Sequence, residues 1–136
     1  MERARHIAIA AALALLAASS AQAATPEALA HYRVTLKRIA VDQKEARALC
    51  RSLSGQPRRV CFAEADADAK KATAAAEADV RDTPRARRNA KIAEADANYA
   101  VARVKCGEKA GDERRECLKV AKTMQSDAVA DAMKAK

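Results

Sequence analysis

The residues with the most distinctive chemistry are four cysteines, spaced as two pairs. Ten residues separate Cys50 from Cys61, and ten separate Cys106 from Cys117. Thiols in such a set can form disulfides, bind zinc or carry out redox chemistry. Structural zinc sites favour cysteine pairs about two to four residues apart, and neither a haem attachment motif nor a close redox-active pair is present. The spacing therefore favours two structural disulfides, without a bound metal or cofactor.

The pairing of these cysteines follows from the glycine at the fifth position of each interval. A glycine there is typical of a tight turn between two helices, and antiparallel helices joined in this way bring the flanking cysteines within the Cα separation that a disulfide needs. We therefore expect Cys50–Cys61 and Cys106–Cys117. A crossed pairing, Cys50–Cys117 with Cys61–Cys106, would resemble the twin-cysteine helical hairpins of the mitochondrial intermembrane space. It stays open, because sequence alone does not decide connectivity.

The two cysteine pairs belong to an internal repeat. A shift of 56 positions places Ala46, Arg47, Cys50, Gly55, Arg58, Arg59 and Cys61 on Ala102, Arg103, Cys106, Gly111, Arg114, Arg115 and Cys117. Thr25-Pro26 and Thr83-Pro84 open the two units, since threonine caps a helix and proline suits its first turn. The sequence thus predicts a duplicated module, with one helical domain over residues 24–136 made of repeats at about 25–82 and 83–136.

Apolar residues recur at helical spacing in each unit. Gly55 suits a left-handed residue that ends the first helix, Asp112 is the expected N-cap of the fourth, and the third helix carries two apolar stripes, which predicts a neighbour on either side. The expected buried lines are Leu29, Tyr32, Leu36, Ile39, Gln43, Ala46, Cys50 and Leu53; Cys61, Ala65, Ala69, Ala72, Ala76 and Val80; and Cys117, Ala121, Met124, Ala128 and Ala132. We expect an all-α fold: two disulfide-stapled helical hairpins in a small antiparallel four-helix arrangement.

Composition agrees with this fold class. Of 136 residues, 2% are aromatic, three are glycine and three are proline. β-Sandwiches and α/β domains need dense β-branched and aromatic runs and frequent turn residues. Those classes are therefore excluded.

The N-terminal segment, residues 1–23, has the pattern of a secretory signal peptide. Two arginines precede an apolar run at 7–18, and Ala21-Gln22-Ala23 supplies small residues for cleavage. The apolar run is shorter than the roughly 20 residues that span a membrane, and charged residues soon follow. The mature chain is thus expected to have no transmembrane segment and to reach an oxidising compartment, the periplasm.

Arginine pairs recur in both units, Arg58-Arg59 and Arg114-Arg115, where each follows its turn glycine. Cations in the first turn of a helix oppose the macrodipole, so a repeated placement invites a functional explanation. Antiparallel helices would bring all four arginines to one end, as a basic tip that binds polyanions; the alternative is ordinary surface charge copied with the module. Both interpretations also apply to a second cluster, Arg81, Arg85, Arg87 and Arg88.

The sequence offers little for catalysis. His31 is the only histidine after the leader, the acidic residues are spread singly between alanines, and no glycine-rich loop is present to bind phosphate. Nucleic acid is not an expected partner, because almost no aromatic residues are available for base stacking. We therefore predict a protein that is not an enzyme.

One stretch resembles a known group of proteins. The run Ala-Asn-Tyr-Ala-Val-Ala-Arg-Val-Lys-Cys at 97–106, followed by Ala110-Gly111, Arg115, Cys117 and Ala121, is similar to small exported Ala/Lys-rich proteins of Gram-negative bacteria. These carry repeated Tyr-x-x-Ala-x-x-x-Cys units and are often labelled cell-envelope biogenesis or TolA-like proteins. The resemblance implies a periplasmic helical protein.

The expected function is a structural or interaction role in the cell envelope. Its partner would be an envelope protein or an anionic envelope polymer, and the long seam of the first helix would also suit a homodimer. The alternative is a polyanion-binding or chaperone-like periplasmic module that uses the basic tip.

Overall fold

A computed structural model describes residues 23–135, which fold into four α-helices and one short 3-10 helix. The α-helices are α1 (Pro26–Cys50), α2 (Gly55–Arg81), α3 (Pro84–Lys105) and α4 (Gly111–Lys134), and the 3-10 helix (Cys106–Glu108) lies in the turn before α4. The all-α prediction is confirmed. The predicted signal peptide lies, except for Ala23, outside the described residues.

As expected, a threonine caps the N-terminus of the first helix of each hairpin. The Thr25 hydroxyl accepts a hydrogen bond from the Ala28 amide at 3.1 Å, and the Thr83 hydroxyl accepts one from the Ala86 amide at 3.0 Å. Each threonine satisfies an amide that the first helical turn leaves without a partner.

Left-handed glycines start the second helix of each hairpin. Gly55 has a φ of +60° and Gly111 a φ of +51°, a conformation that glycine adopts without steric cost. Gly55 is thus left-handed as expected, but it opens α2 instead of ending α1, which ends at Cys50. The assignment of Asp112 as an N-cap is wrong, because the glycine places the cap at Ala110 and leaves Asp112 in the first turn.

The helices pack in chain order as an open antiparallel row. α1 packs on α2, α2 on α3 and α3 on α4, with the most extensive interface between α2 and α3. Among the described residues, neither α1 nor α4 makes extensive contact with an α-helix other than its hairpin partner. The two edge helices therefore each keep one long side without a helical neighbour.

Alanine and cystine form the core of this row. The buried apolar residues are Cys50, Ala65, Ala67, Ala78, Ala86, Ala95, Ala97, Cys106, Ala121 and Ala132. Cys50 and Cys106 are the most buried, each 1% exposed. Small side chains let helices approach closely, but each removes little apolar area from water, so the hydrophobic contribution per residue is low.

The central helices bury two opposite sides. On α3, Ala95 lies on one buried side and Ala97 on the other. The predicted neighbour on either side of α3 is thus confirmed, although Ala100, one turn beyond Ala97 in the same stripe, is exposed. On α2, a single line was expected, and that expectation is wrong: Ala72 is exposed, while Ala67 and Ala78 are buried away from the predicted line. The reason is that α2, like α3, has a helical neighbour on each side.

The predicted buried line of α4 is wrong at two positions. Met124 is 68% exposed and Ala128 is also exposed. Because α4 packs on one helix only, its buried side is narrow. That side follows Leu118, Ala121, Gln125, Val129 and Ala132, all of which are buried or half-buried.

Candidate functional site

The four cysteines pair within the hairpins. Cys50 bonds to Cys61 and Cys106 to Cys117, with Cα separations of 5.5 and 5.7 Å. The local pairing is therefore confirmed, the crossed pairing is wrong, and no cysteine is free. We refer to residues 50–61 as the first cysteine turn and to residues 106–117 as the second cysteine turn.

The two cysteine turns lie side by side at one end of the row, which we call the cysteine pole. The Gln56 side-chain amide donates a hydrogen bond to the Val104 carbonyl. A salt bridge of 2.7 Å joins Lys105 to Glu64 across α2 and α3. All four predicted arginines are consequently at the same pole and are exposed.

The arginines of the first cysteine turn stand apart from acidic residues. The first cysteine turn contains three arginines, residues 46–63 contain no aspartate or glutamate, and the first turn of α2 contains no acidic residue. The Arg59 Nε donates to the Gln56 side-chain oxygen at 2.7 Å, while the Arg58 guanidinium lies 5.9 Å from the centre of the Phe62 ring. These contacts orient the two cations and leave their charge uncompensated.

The second cysteine turn is different in charge. The corresponding residues, 102–119, contain four acidic residues. Asp112 and Glu113 lie in the first turn of α4, and Asp112 forms a salt bridge with Arg115. Only the first cysteine turn therefore carries a concentrated positive charge.

A partly exposed ion pair supports the first hairpin. The Arg47 guanidinium donates to both carboxylate oxygens of Asp66 at 2.6 Å, and the Gln43 amide donates to one of them at 2.9 Å. Burial raises the pKa of Asp66, but these hydrogen bonds and the charge of Arg47 lower it by more. The pKa of Asp66 therefore lies below its usual value.

The corresponding positions of the second hairpin carry different residues, which form different contacts. Gln43, Arg47 and Asp66 correspond, 56 residues on, to Tyr99, Arg103 and Lys122. There the Arg103 and Lys122 cations lie 5.7 and 5.3 Å from the centre of the Tyr99 ring. An ion pair in one hairpin is thus matched by two cation–π contacts in the other. Sequence reasoning missed both networks, although the Gln43/Tyr99 difference marks their position.

Two leucines are exposed at the first cysteine turn. Leu49 is 76% exposed in the last turn of α1, and Leu53 is 42% exposed in the turn itself. The sequence pattern placed Leu53 on the buried seam, which is wrong, because the chain leaves the helix after Cys50 and the seam ends there.

The second arginine cluster lies at the opposite end and is partly neutralised. Arg81 pairs with Glu77 at 2.9 Å, and Arg87 pairs with Asp82 at 2.5 Å. Arg88 is half-buried, and its Nε has no hydrogen-bond partner among the described residues. This cluster offers less free charge than the first cysteine turn.

Open grooves line the rest of the row. A groove of about 790 Å³ lies between α1 and α3 with α2 as its floor, and Leu36, Ala69 and Ala97 are among its lining residues. His31 is exposed on α1. Over residues 23–135, no cluster of three or more histidine, cysteine or acidic side chains is arranged to hold a metal ion.

In the described part of the chain, none of the helices combines the length and apolar character needed to cross a membrane. Comparison with known proteins gives no match among family models, curated sequences or solved structures. The fold and the charge distribution are therefore the basis for a functional assignment.

Proposed function

We propose that this protein is a non-enzymatic interaction module of the bacterial cell envelope, exported to the periplasm. Two disulfides are consistent with an oxidising compartment, and the N-terminal 23 residues have the pattern of a cleaved leader. The grooves are open to solvent, so they favour contact with another macromolecule over enclosure of a small substrate.

The observation that carries this proposal is the open row of helices. The edge helices present large apolar side chains to solvent, Val34 and Val41 on α1 and Val120 and Met124 on α4. A closed four-helix bundle would offer α1 and α4 to each other. In the open row, these sides remain available to an envelope protein or to a second copy of the chain.

Photocrosslinking in the periplasm tests the proposal. A photoreactive residue at Val41 should give a discrete crosslinked species, which Val34→Asp on the same helix abolishes and Val120→Asp on the other edge leaves unchanged. The same probe at exposed Asp79 on α2 is the control. Crosslinking that is equal at Val41 and Asp79, or that is absent at Val41, contradicts the proposal.

Export is tested separately by intact mass. Protein recovered from the periplasm of a Gram-negative host should lack residues 1–23 and carry no thiol that reacts with an alkylating reagent before reduction. Retention of the leader, or four free thiols, would contradict export to an oxidising compartment.

A second candidate function is polyanion binding at the basic tip, favoured by the acid-free first cysteine turn. The chain should be retained on a heparin column at low salt, and Arg58→Glu with Arg59→Glu should abolish retention. Arg114→Glu with Arg115→Glu is the matched control, because Arg115 is already paired with Asp112. An equal loss of heparin retention in both double variants would mean that retention depends on net charge and not on the first cysteine turn.

The chaperone-like form of this candidate has a separate test. Suppression of aggregation requires extended exposed apolar patches, whereas the exposed large apolar side chains here are distributed over the two edge helices and the first turn. We expect little suppression in a light-scattering assay with a thermally unfolding client. Strong suppression at equimolar protein would favour the chaperone-like function.

A further inference from the structure

We infer that the first cysteine turn docks on the surface of a membrane that carries anionic phosphate headgroups, with Leu49 and Leu53 entering the lipid interface. This inference rests on the second candidate function, because it gives the polyanion contact a specific partner.

The exposed leucines require a partner that is apolar as well as anionic. A single exposed leucine on a protein surface is common. Here Leu49 and Leu53 lie four positions apart on either side of Cys50, and Cys50 takes the buried position of that turn. Because Cys50 takes that position, Leu49 and Leu53 are left on the exposed side of the turn.

The arginines around the leucines match a layer of lipid phosphates. Arg51, Arg58 and Arg59 are exposed, and no acidic residue lies between Ala46 and Ala63. Guanidinium groups bind phosphate through paired hydrogen bonds. Cationic side chains next to apolar ones are the combination that holds peripheral proteins in the headgroup region.

The turn is held in shape before any contact is made. The Cys50–Cys61 disulfide closes it, and the Gln56 side chain joins Arg59 to the Val104 carbonyl of the neighbouring turn. A preorganised surface loses less conformational entropy on binding. The acidic residues of the second cysteine turn confine the contact to the first turn, since they would be repelled by the same phosphates.

A soluble polyanion would contact the arginines alone, whereas a membrane surface would contact the leucines as well. Replacing the leucines therefore distinguishes these two kinds of partner. The chain contains no tryptophan, which makes Leu49→Trp a single reporter. Its fluorescence should shift to the blue on vesicles of phosphatidylcholine with phosphatidylglycerol, and not on phosphatidylcholine alone. Val34→Trp, at a position on the same helix that is 65% exposed, is the matched control and should show no shift.

Vesicle cosedimentation measures the contribution of each group. Arg58→Glu with Arg59→Glu should lower partitioning at least about 30-fold, since each basic residue near an anionic surface contributes about fivefold. Leu49→Ser with Leu53→Ser should lower it about tenfold, without changing retention on heparin. Circular dichroism of each variant establishes that helicity is retained.

The outcomes separate the inference from the function on which it rests. Heparin retention without vesicle binding, or vesicle binding that survives replacement of both leucines, overturns the membrane contact and leaves polyanion binding in place. The absence of both heparin and vesicle binding overturns both. A blue shift of equal size at Val34→Trp also overturns the inference, because it would place another surface against the lipid.

Discussion

Replacing Cys50 and Cys61 together with alanine is expected to lower the free energy of unfolding by about 3 kcal/mol. The disulfide links residues with a sequence separation of 11, and the chain-entropy relation gives about 3 kcal/mol for a loop of that length. Apart from two cysteines, the buried core consists of alanines, which supply little compensating stability. Since domains of this size are stable by about 5–15 kcal/mol, one disulfide is a large fraction of the total.

Urea denaturation followed by far-ultraviolet circular dichroism measures this loss. The same experiment with Cys106→Ala and Cys117→Ala should give a similar decrease, because that loop has the same sequence separation, 11. In thermal unfolding, each double variant should lose about 10–20 °C. A decrease below about 1 kcal/mol in both double variants, or ellipticity and a midpoint that reductant leaves unchanged, would refute the reasoning that the disulfides stabilise an alanine core.

Three further predictions concern the contacts between helices. Asp66→Asn should cost about 0.5–1 kcal/mol at neutral pH, because it removes a partly exposed ion pair; since the folded-state pKa is lowered, the Asp66 contribution is complete above the unfolded pKa and is lost as pH falls through the folded pKa. Urea midpoints of both proteins should therefore converge in acid, and a constant difference at all pH values would contradict the assignment. Ala97→Leu should cost about 1–3 kcal/mol by overpacking the α2–α3 interface, while Ala100→Leu, on the exposed side of the same helix, should change stability by less than about 0.5 kcal/mol; equal effects would mean that the interface tolerates larger residues. Gln56→Ala should cost about 1 kcal/mol and accelerate amide hydrogen exchange in the second cysteine turn, and unchanged exchange there would show that the two turns are not coupled.

Several features of the fold that local sequence determines were predicted correctly, although the N-cap of α4 was not. Thr25 and Thr83 cap helices because the required contact lies within three residues. The expected disulfide pairing followed from the short interval around a turn glycine, although the sequence alone left the crossed pairing open. The placement of four arginines at one pole needed only the antiparallel order of the helices.

The parts that depend on distant contacts were not predictable from pattern. In an alanine-rich helix, several lines of small residues fit the same spacing, so periodicity does not show which line is buried. Met124 was assigned to the core of α4 for this reason, although it is exposed. The open row itself depends on α1 and α4 staying apart, and no local signal reports that.

In the candidate site, too, features set by local sequence were predictable and contacts between distant residues were not. The charge asymmetry between the cysteine turns is readable in the sequence, because acids are present in one interval and absent from the other. The Arg47–Asp66 pair was missed, since helices with many isolated charges allow many pairings. Leu53 was missed because helical spacing extrapolates past Cys50, the residue at which α1 ends.

The disulfides that stabilise the protein and the proposed contact surface both lie at the cysteine pole. The open row of helices explains why. Each edge helix has one helical neighbour, and at the pole a disulfide in each hairpin fixes its turn. The opposite end of the α2–α3 pair turns through Asp82, a non-glycine residue at a φ of +42°, and two of its four arginines, Arg81 and Arg87, are engaged in ion pairs. A rigid surface with free charge binds at lower entropic cost than a mobile one. Reduction of the Cys50–Cys61 disulfide should therefore weaken binding to anionic surfaces even if the helices remain folded. The arginines and leucines at the first cysteine turn would no longer be held in a fixed orientation to one another.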